Sequence, residues 1–173
     1  MRLFFSIDPP DTLQQQVTLQ CPQIKGTKLT PPHQLHLTLL FMGEQPDQTV
    51  TEIAAALNTL KVTPFTLTTD RIGHFNSGII WLGLKPCRLL LQLQKQLCHR
   101  LRQQGLTFEQ RKFIPHITLA RTKQRVTSKL LQEFITAFAG PGLHFPCDRI
   151  YLKSSQLNAA GAHHQIEAEF LPD

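Results

Sequence analysis

Two histidines in this chain are each followed by the same pattern, in which a threonine comes two positions later and a leucine three positions later. Imidazole titrates near neutral pH, so one neutral ring can act as a general base while a second, protonated ring acts as a general acid. A threonine hydroxyl can donate a hydrogen bond to a nonbridging phosphate oxygen, where charge accumulates in the transition state. The pattern therefore suits acid–base chemistry on a phosphodiester, with four candidate catalytic residues: His36, Thr38, His116 and Thr118.

The strand-like character of both segments indicates how these side chains would be presented. Alternate side chains of a strand share a face, so each histidine would lie beside its threonine while the apolar residues between them point into the core. One such motif alone is most simply a half-buried strand histidine beside a β-forming threonine. Two among eight histidines would arise by chance with a probability on the order of one per cent, which favours a shared site.

A metal site explains the pattern less well than acid–base chemistry does. Threonine is a poor zinc ligand, and neither segment has the His-x-His spacing or the nearby carboxylate that strand ligands would show. We therefore expect neither a metal nor another cofactor. Near-symmetry of the motifs leaves open which histidine is the acid, with a preference for His36 as acid and His116 as base.

The elements that would position these residues follow from hydrophobic periodicity and from Pro, Gly and Asn breaks. The pattern predicts seven strands, near residues 2–8, 34–42, 64–74, 78–84, 114–121, 144–153 and 164–170. Four helices are predicted between them, near 10–20, 47–60, 86–104 and 127–138. Interspersed strands and helices predict an α+β fold with antiparallel sheet. Because each motif is followed by a helix, two similar lobes within a single domain, residues 1–173, would explain the repeat.

Composition sets broad limits on the protein. With 41% hydrophobic and 17% charged residues among 173, the chain is not of the disordered class, and no apolar run approaches the ~20 residues that cross a bilayer. The apolar stretch at the start is too short for a signal peptide, which predicts a cytoplasmic protein without membrane association. Four dispersed cysteines predict free thiols. A net charge of +6 favours a polyanionic substrate.

Both motifs and their flanks resemble a known family. Residues 36–39, with Phe41 and Gly43 after them, and residues 115–121 look like the two signature motifs of the 2H phosphoesterase superfamily, specifically of its LigT-like RNA 2′,3′-cyclic phosphodiesterases. The similarity extends from the first strand to the strand near residues 151–154. The doubled motif is specific, and the flanking likeness is supportive.

This resemblance implies a bilobal, pseudo-two-fold fold of two antiparallel sheets flanked by helices, with both motifs on the floor of a central groove. It implies opening of RNA 2′,3′-cyclic phosphate ends, tRNA fragments included, to 2′-phosphates, and a reverse reaction that joins RNA ends 2′-5′. It also favours Arg121 as a substrate contact, although Arg121 would face the groove only if the strand has a bulge or ends near Ala120. We expect a monomer.

Several interpretations stay open from the sequence. Phe41 could stack on a base or belong to the core, Arg121 could form a surface ion pair, and the basic residues 111–112 and 121–125 could follow an RNA backbone or form a solvated loop. His33 precedes the first motif and is a candidate for lining the groove, whereas no role is predicted for the other histidines. The alternative functions are a noncatalytic module that binds RNA ends or phosphate, and a related phosphodiesterase acting on a small cyclic nucleotide.

Overall fold

The computed structural model describes residues 1–172. Within them the strands are β1 (Arg2–Ile7), β2 (Thr27–Leu29), β3 (Leu37–Glu44), β4 (Phe65–Phe75), β5 (Ile79–Leu84), β6 (His116–Thr122), β7 (His144–Cys147), β8 (Ile150–Asn158) and β9 (Gly161–Phe170). The helices are α1 (Asp11–Gln20), α2 (Thr49–Leu57), α3 (Arg88–Gln103) and α4 (Ser128–Ala137). A short 3₁₀ turn, Pro32–Gln34, precedes β3.

All registered strand pairs are antiparallel, and they form two halves of one sheet. The order is β7-β4-β5-β6 followed by β3-β1-β8-β9, with β2 paired to β6. Each half therefore has a motif strand at its inner edge, and β3 and β6 meet at a single registered pair, Leu37 with Ile117. This arrangement confirms the predicted α+β, bilobal, pseudo-two-fold fold.

The sheet curls, as the short connection between β7 and β8 shows. Only Asp148 and Arg149 separate these two strands in sequence, although five other strands lie between them in the sheet. Arg149 contacts Asp148 and Glu169 at 2.9 Å each, joining this crossing to β9. The two ends of the sheet are thereby joined, because β7 at one end is connected through residues 148–149 to β8 and β9 at the other.

The helices cover one side of this curled sheet with apolar stripes. In α3 the residues at three- and four-residue spacing are buried: Leu90, Leu93, Leu97 and Leu101. Burying such a side chain fully contributes roughly 1.5–3 kcal/mol, so this stripe belongs to the core. The four cysteines are free thiols, three of them buried, as the sequence predicts. Among residues 1–172, none of the helices is long and apolar enough to cross a membrane.

The predicted elements differ from the structure in three places. The segment 144–153, predicted as one strand, is two strands, because β7 pairs with β4 and β8 pairs with β1 in the opposite half. Strand β9 begins at Gly161, earlier than predicted, since it forms a long hairpin with β8. The three-residue strand β2 is absent from the prediction because its pairing with β6 is a long-range contact.

Candidate active site

The motif strands place the four candidate catalytic residues on one face of the sheet. Leu37 and Ile117 are fully buried, whereas the histidine and threonine on either side of each are only partly buried. Continuing the antiparallel register by one residue in each direction from the Leu37–Ile117 pair sets each histidine opposite the threonine of the other strand,. The two histidines then occupy one diagonal of a four-residue block, and the two threonines occupy the other.

A β-bulge at the leucine of each motif turns one more side chain toward the same face. In β6 the register skips Leu119, because Thr118 pairs with Trp81 and Ala120 pairs with Ile80. In β3 it skips Leu39 in the same way against β1. Both residues after the skip, Ala120 and Leu40, are buried. Arg121 and Phe41 therefore occupy equivalent positions in the two halves, and the bulge that Arg121 required is present.

His36 is oriented by two hydrogen bonds. Its Nδ1 donates to the carbonyl oxygen of Gln34 at 2.6 Å, and its Nε2 lies 3.1 Å from Oγ1 of Thr38. Because the carbonyl can only accept, Nδ1 carries the proton, and in the neutral ring the Thr38 hydroxyl donates to Nε2. Burial lowers the pKa of His36 to about 4, and the positive charge of Lys153 adds to the lowering, so burial outweighs the Gln34 carbonyl.

His116 is held in the corresponding way. Its Nδ1 donates to the carbonyl oxygen of Ile114 at 2.6 Å, which leaves Nε2 to exchange a proton with a substrate. The ring packs edge-on against Phe75, with centroids 5.0 Å apart, and lies 6.1 Å from the Trp81 ring. Burial lowers the pKa of His116, and the nearby guanidinium of Arg121 adds to the effect.

A cleft of about 590 Å³ lies over the two motifs, and we call it the histidine cleft. The structure brings all six candidate residues predicted from the sequence to its lining: His36, Thr38, Phe41, His116, Thr118 and Arg121. Polar side chains from both halves thus meet around one space, with donors on two sides. Such an arrangement can hold an anionic group between two imidazoles.

The residues predicted to contact substrate have distinct surroundings. The guanidinium carbon of Arg2 lies 4.9 Å from the centre of the Phe41 ring, and both side chains line the cleft. Phe41 is thus only partly in the core, and a base on its exposed side would also meet a cation. Arg121 is exposed, and it is paired across the sheet with Lys28 of β2.

One further histidine in the cleft was missed by the sequence analysis. His164 of β9 lines the cleft, and its ring lies 5.5 Å from His36 and 4.9 Å from Phe4. Its Nδ1 is buried without a hydrogen-bond partner among the described residues. Burial lowers the pKa of His164, with Lys153 adding to the effect. Only the long β8–β9 hairpin brings it here, so no local sequence pattern could have revealed it.

His33, a candidate for lining the groove on the basis of the sequence, is not among the residues that line this cleft.

A buried ion pair supports the His36 side of the cleft. Nζ of Lys153 lies 2.5 Å from Oδ2 of Asp8, and the Lys153 side chain is 6% exposed. The Ser6 hydroxyl donates to the other Asp8 oxygen at 2.9 Å. Lys153 is paired in register with Phe4, whose ring packs against His36. The pair thus sets two opposite charges near His36, of which Lys153 lowers the pKa of the ring and Asp8 raises it.

Comparison with known proteins agrees with this geometry. The model of the 2′-5′ RNA ligase superfamily matches residues 9–158. A protein of Methanocaldococcus jannaschii named RNA 2′,3′-cyclic phosphodiesterase is 30% identical, with 98% of this chain and 100% of that protein covered. One of the same name from Escherichia coli is 34% identical, over 69% of this chain and 71% of that protein.

Solved structures extend the likeness to the whole fold. A crystal structure of Escherichia coli LigT in complex with 3′-AMP matches with a TM-score of 0.80 and 26% identity, covering 99% of this chain and 97% of that one. A crystal structure described as a phosphoesterase matches with a TM-score of 0.81 and 26% identity, covering 99% and 98%. Since the family model spans both halves of the sheet and both motifs, this chain belongs to the 2′-5′ RNA ligase superfamily.

Proposed function

We propose that this protein is an RNA 2′,3′-cyclic phosphodiesterase that opens the terminal cyclic phosphate to a 2′-phosphate by paired histidine acid–base catalysis. The observation that carries this proposal is the convergence of two histidines and two threonines on one cleft from the two halves of the sheet. The shared name of the relatives supports the same activity. Binding and turnover then need no group beyond the side chains of this chain.

In the proposed reaction, one imidazole takes a proton from water as the water oxygen attacks phosphorus. The bond between phosphorus and O3′ breaks, and the second imidazole gives its proton to O3′, leaving a 3′-hydroxyl and a 2′-phosphate. Thr118 donates a hydrogen bond to a nonbridging oxygen, and Thr38 does the same once substrate binding turns its one hydroxyl proton away from Nε2 of His36,. Arg121 neutralises the phosphate charge, and Phe41 offers a face for the terminal base. In 2′-5′ joining, the 5′-hydroxyl of a second RNA would replace water. Its oxygen attacks phosphorus and its proton goes to the base, while the bond between phosphorus and O3′ breaks and the acid protonates O3′.

Protonation of the two histidines bears on their roles. The pKa values of both rings are lowered in the free protein, and that of His36 is lowered to about 4. A pKa of about 4 leaves His36 neutral at neutral pH in the free protein, which runs against the sequence preference for His36 as the acid. An anionic phosphate bound between the rings raises both values. Kinetics with a substrate whose leaving group needs no acid would therefore assign the two roles.

The test is to incubate the purified protein with EDTA and an RNA oligonucleotide that ends in a 2′,3′-cyclic phosphate, and then to identify the product. We expect a 2′-phosphate. A 3′-phosphate would mean that O2′ is the leaving group, and no reaction would favour the noncatalytic RNA-end binding module. His36→Ala and His116→Ala should each abolish turnover, while His99→Ala, an exposed histidine outside the cleft, is the matched control.

A further inference from the structure

A second, larger cavity adjoins the histidine cleft. It has a volume of about 1190 Å³ and lies between the turn before β2, the end of β6 and the start of α4. Small-molecule pockets typically measure about 300–1,000 Å³, so this space exceeds what one nucleotide needs. We call it the basic groove, because its lining includes six cationic side chains: Lys25, Lys28, Arg121, Lys123, Arg125 and Lys129.

The two cavities share two of these residues. Lys28 and Arg121 line both the histidine cleft and the basic groove, and they are registered partners across β2 and β6. Nζ of Lys28 also lies 3.4 Å from the carbonyl oxygen of Ala160 at the tip of the β8–β9 hairpin. A chain lying in the histidine cleft can therefore continue into the basic groove past two positive charges.

The charge of the basic groove is largely uncompensated. Glu133 is the one carboxylate among the described residues that line it. All six cationic residues are exposed, and no ion pair joins any of them to a carboxylate within residues 1–172. Like charges gathered without partners repel one another and attract a polyanion. A solvated face that served only solubility would mix both signs.

Building on the hydrolysis proposed above, we propose that the basic groove binds the RNA strand on the 5′ side of the cyclic phosphate, so that the enzyme prefers oligonucleotides to mononucleotides. The terminal nucleotide occupies the histidine cleft, and the preceding phosphates lie along the cations. Contacts of this kind are made to the backbone and are independent of sequence. Lysine and arginine side chains at an open groove release counterions when they bind phosphates, which makes the preference dependent on salt.

The test compares two substrates, a 2′,3′-cyclic mononucleotide and a single-stranded RNA of about ten nucleotides with the same cyclic end. The quantity measured is the ratio of kcat/KM for the oligonucleotide to kcat/KM for the mononucleotide. In the variant Lys123→Gln/Arg125→Gln/Lys129→Gln we expect this ratio to fall about tenfold or more near 0.1 M salt, and the salt slope for the oligonucleotide to decrease by roughly 2. Lys28 and Arg121 are left intact because they also line the histidine cleft.

The matched control is Lys85→Gln/Arg88→Gln/Lys95→Gln, which removes the same charge from exposed positions that line neither cavity. We expect its ratio to equal that of the unaltered protein. An unchanged ratio in the groove variant, or an equal fall in both variants, would overturn the groove proposal. If the unaltered protein turns over neither substrate, the proposed hydrolytic function itself is wrong. Circular dichroism of each variant checks that the variant is folded.

Discussion

At the scale of single residues, the site depends on how burial and hydrogen bonding prepare two imidazoles. Each Nδ1 donates to the carbonyl of the residue two positions earlier, which fixes the tautomer and leaves Nε2 as the acceptor; in His36 the Thr38 hydroxyl occupies that acceptor. The sequence predicted these two histidines and their threonines, because the strand period alone sets which side chains share a face. It could not predict His164, whose place depends on a hairpin made elsewhere in the chain.

The threonine hydroxyls should matter more for turnover than for folding. Thr38→Val and Thr118→Val each remove one hydrogen-bond donor to the phosphate, which typically costs about 10²–10³ in kcat. Thr38→Ser and Thr118→Ser keep the hydroxyl and should retain most of the activity. Thr51→Val, at an exposed position in α2, is the control. Steady-state kinetics on the cyclic-phosphate oligonucleotide check this, and a valine variant with unaltered kcat would remove that threonine from the site.

At the scale of the elements, the bulges in β3 and β6 align more of each motif with the cleft than regular strands would. The sequence indicated that Arg121 needs such a bulge, and the paired skips at Leu39 and Leu119 supply it in both halves. Long periodic segments such as α3 were predictable, since one helix carries its own pattern. The division of residues 144–153 into two strands was not predictable, because it is determined by pairing with strands β4 and β1 in opposite halves of the sheet.

The β4–β5 hairpin supports His116 through a glycine. Trp81 is registered opposite Gly73, and a Cβ added at Gly73 would lie 2.3 Å from the indole ring. Gly73→Ala must therefore displace Trp81, which packs against His116, at a cost of about 1–3 kcal/mol of unfolding free energy. We expect a lower Tm together with lower kcat. Gly140→Ala, where an added Cβ meets nothing within 4 Å, is the control; equal Tm values for the two variants would contradict this packing role.

At the scale of the whole molecule, the partly buried His36 makes stability depend on pH. The pKa of His36 is lowered from 6.5 to about 4, so between these values the unfolded chain binds more protons than the folded chain. The free energy of unfolding therefore falls as pH decreases through this window, by about 2 kcal/mol from His36 alone between pH 7.5 and 5. Urea denaturation at both pH values measures it. In His36→Gln the decrease in unfolding free energy between pH 7.5 and 5 should be smaller by about 2 kcal/mol. A decrease equal to that of the unaltered protein would contradict the lowered pKa of His36.

We also propose that the two halves unfold as a single domain, since the motif strands join them and the β7–β8 crossing ties their outer strands together. Trp81, the one tryptophan of the chain, reports on the half that contains β5, whereas far-UV circular dichroism reports on both. Coincident denaturation curves are expected for one cooperative unit. Two separated transitions would show that the halves are two domains.

The predicted monomer is tested separately by sedimentation. A mass other than 19.7 kDa would contradict it.

The division of labour between His36 and His116 is tested most directly with a substrate whose bridging O3′ is replaced by sulfur. A thiolate leaves without being protonated because a thiol is far more acidic than an alcohol. With the oxygen substrate, His36→Ala and His116→Ala should each lose about 10²–10⁴ in kcat. With the sulfur substrate, one variant, that of the acid, should recover most of this loss, while the other stays inactive. Recovery of both variants, or of neither, would contradict two histidines acting as acid and base on one phosphate.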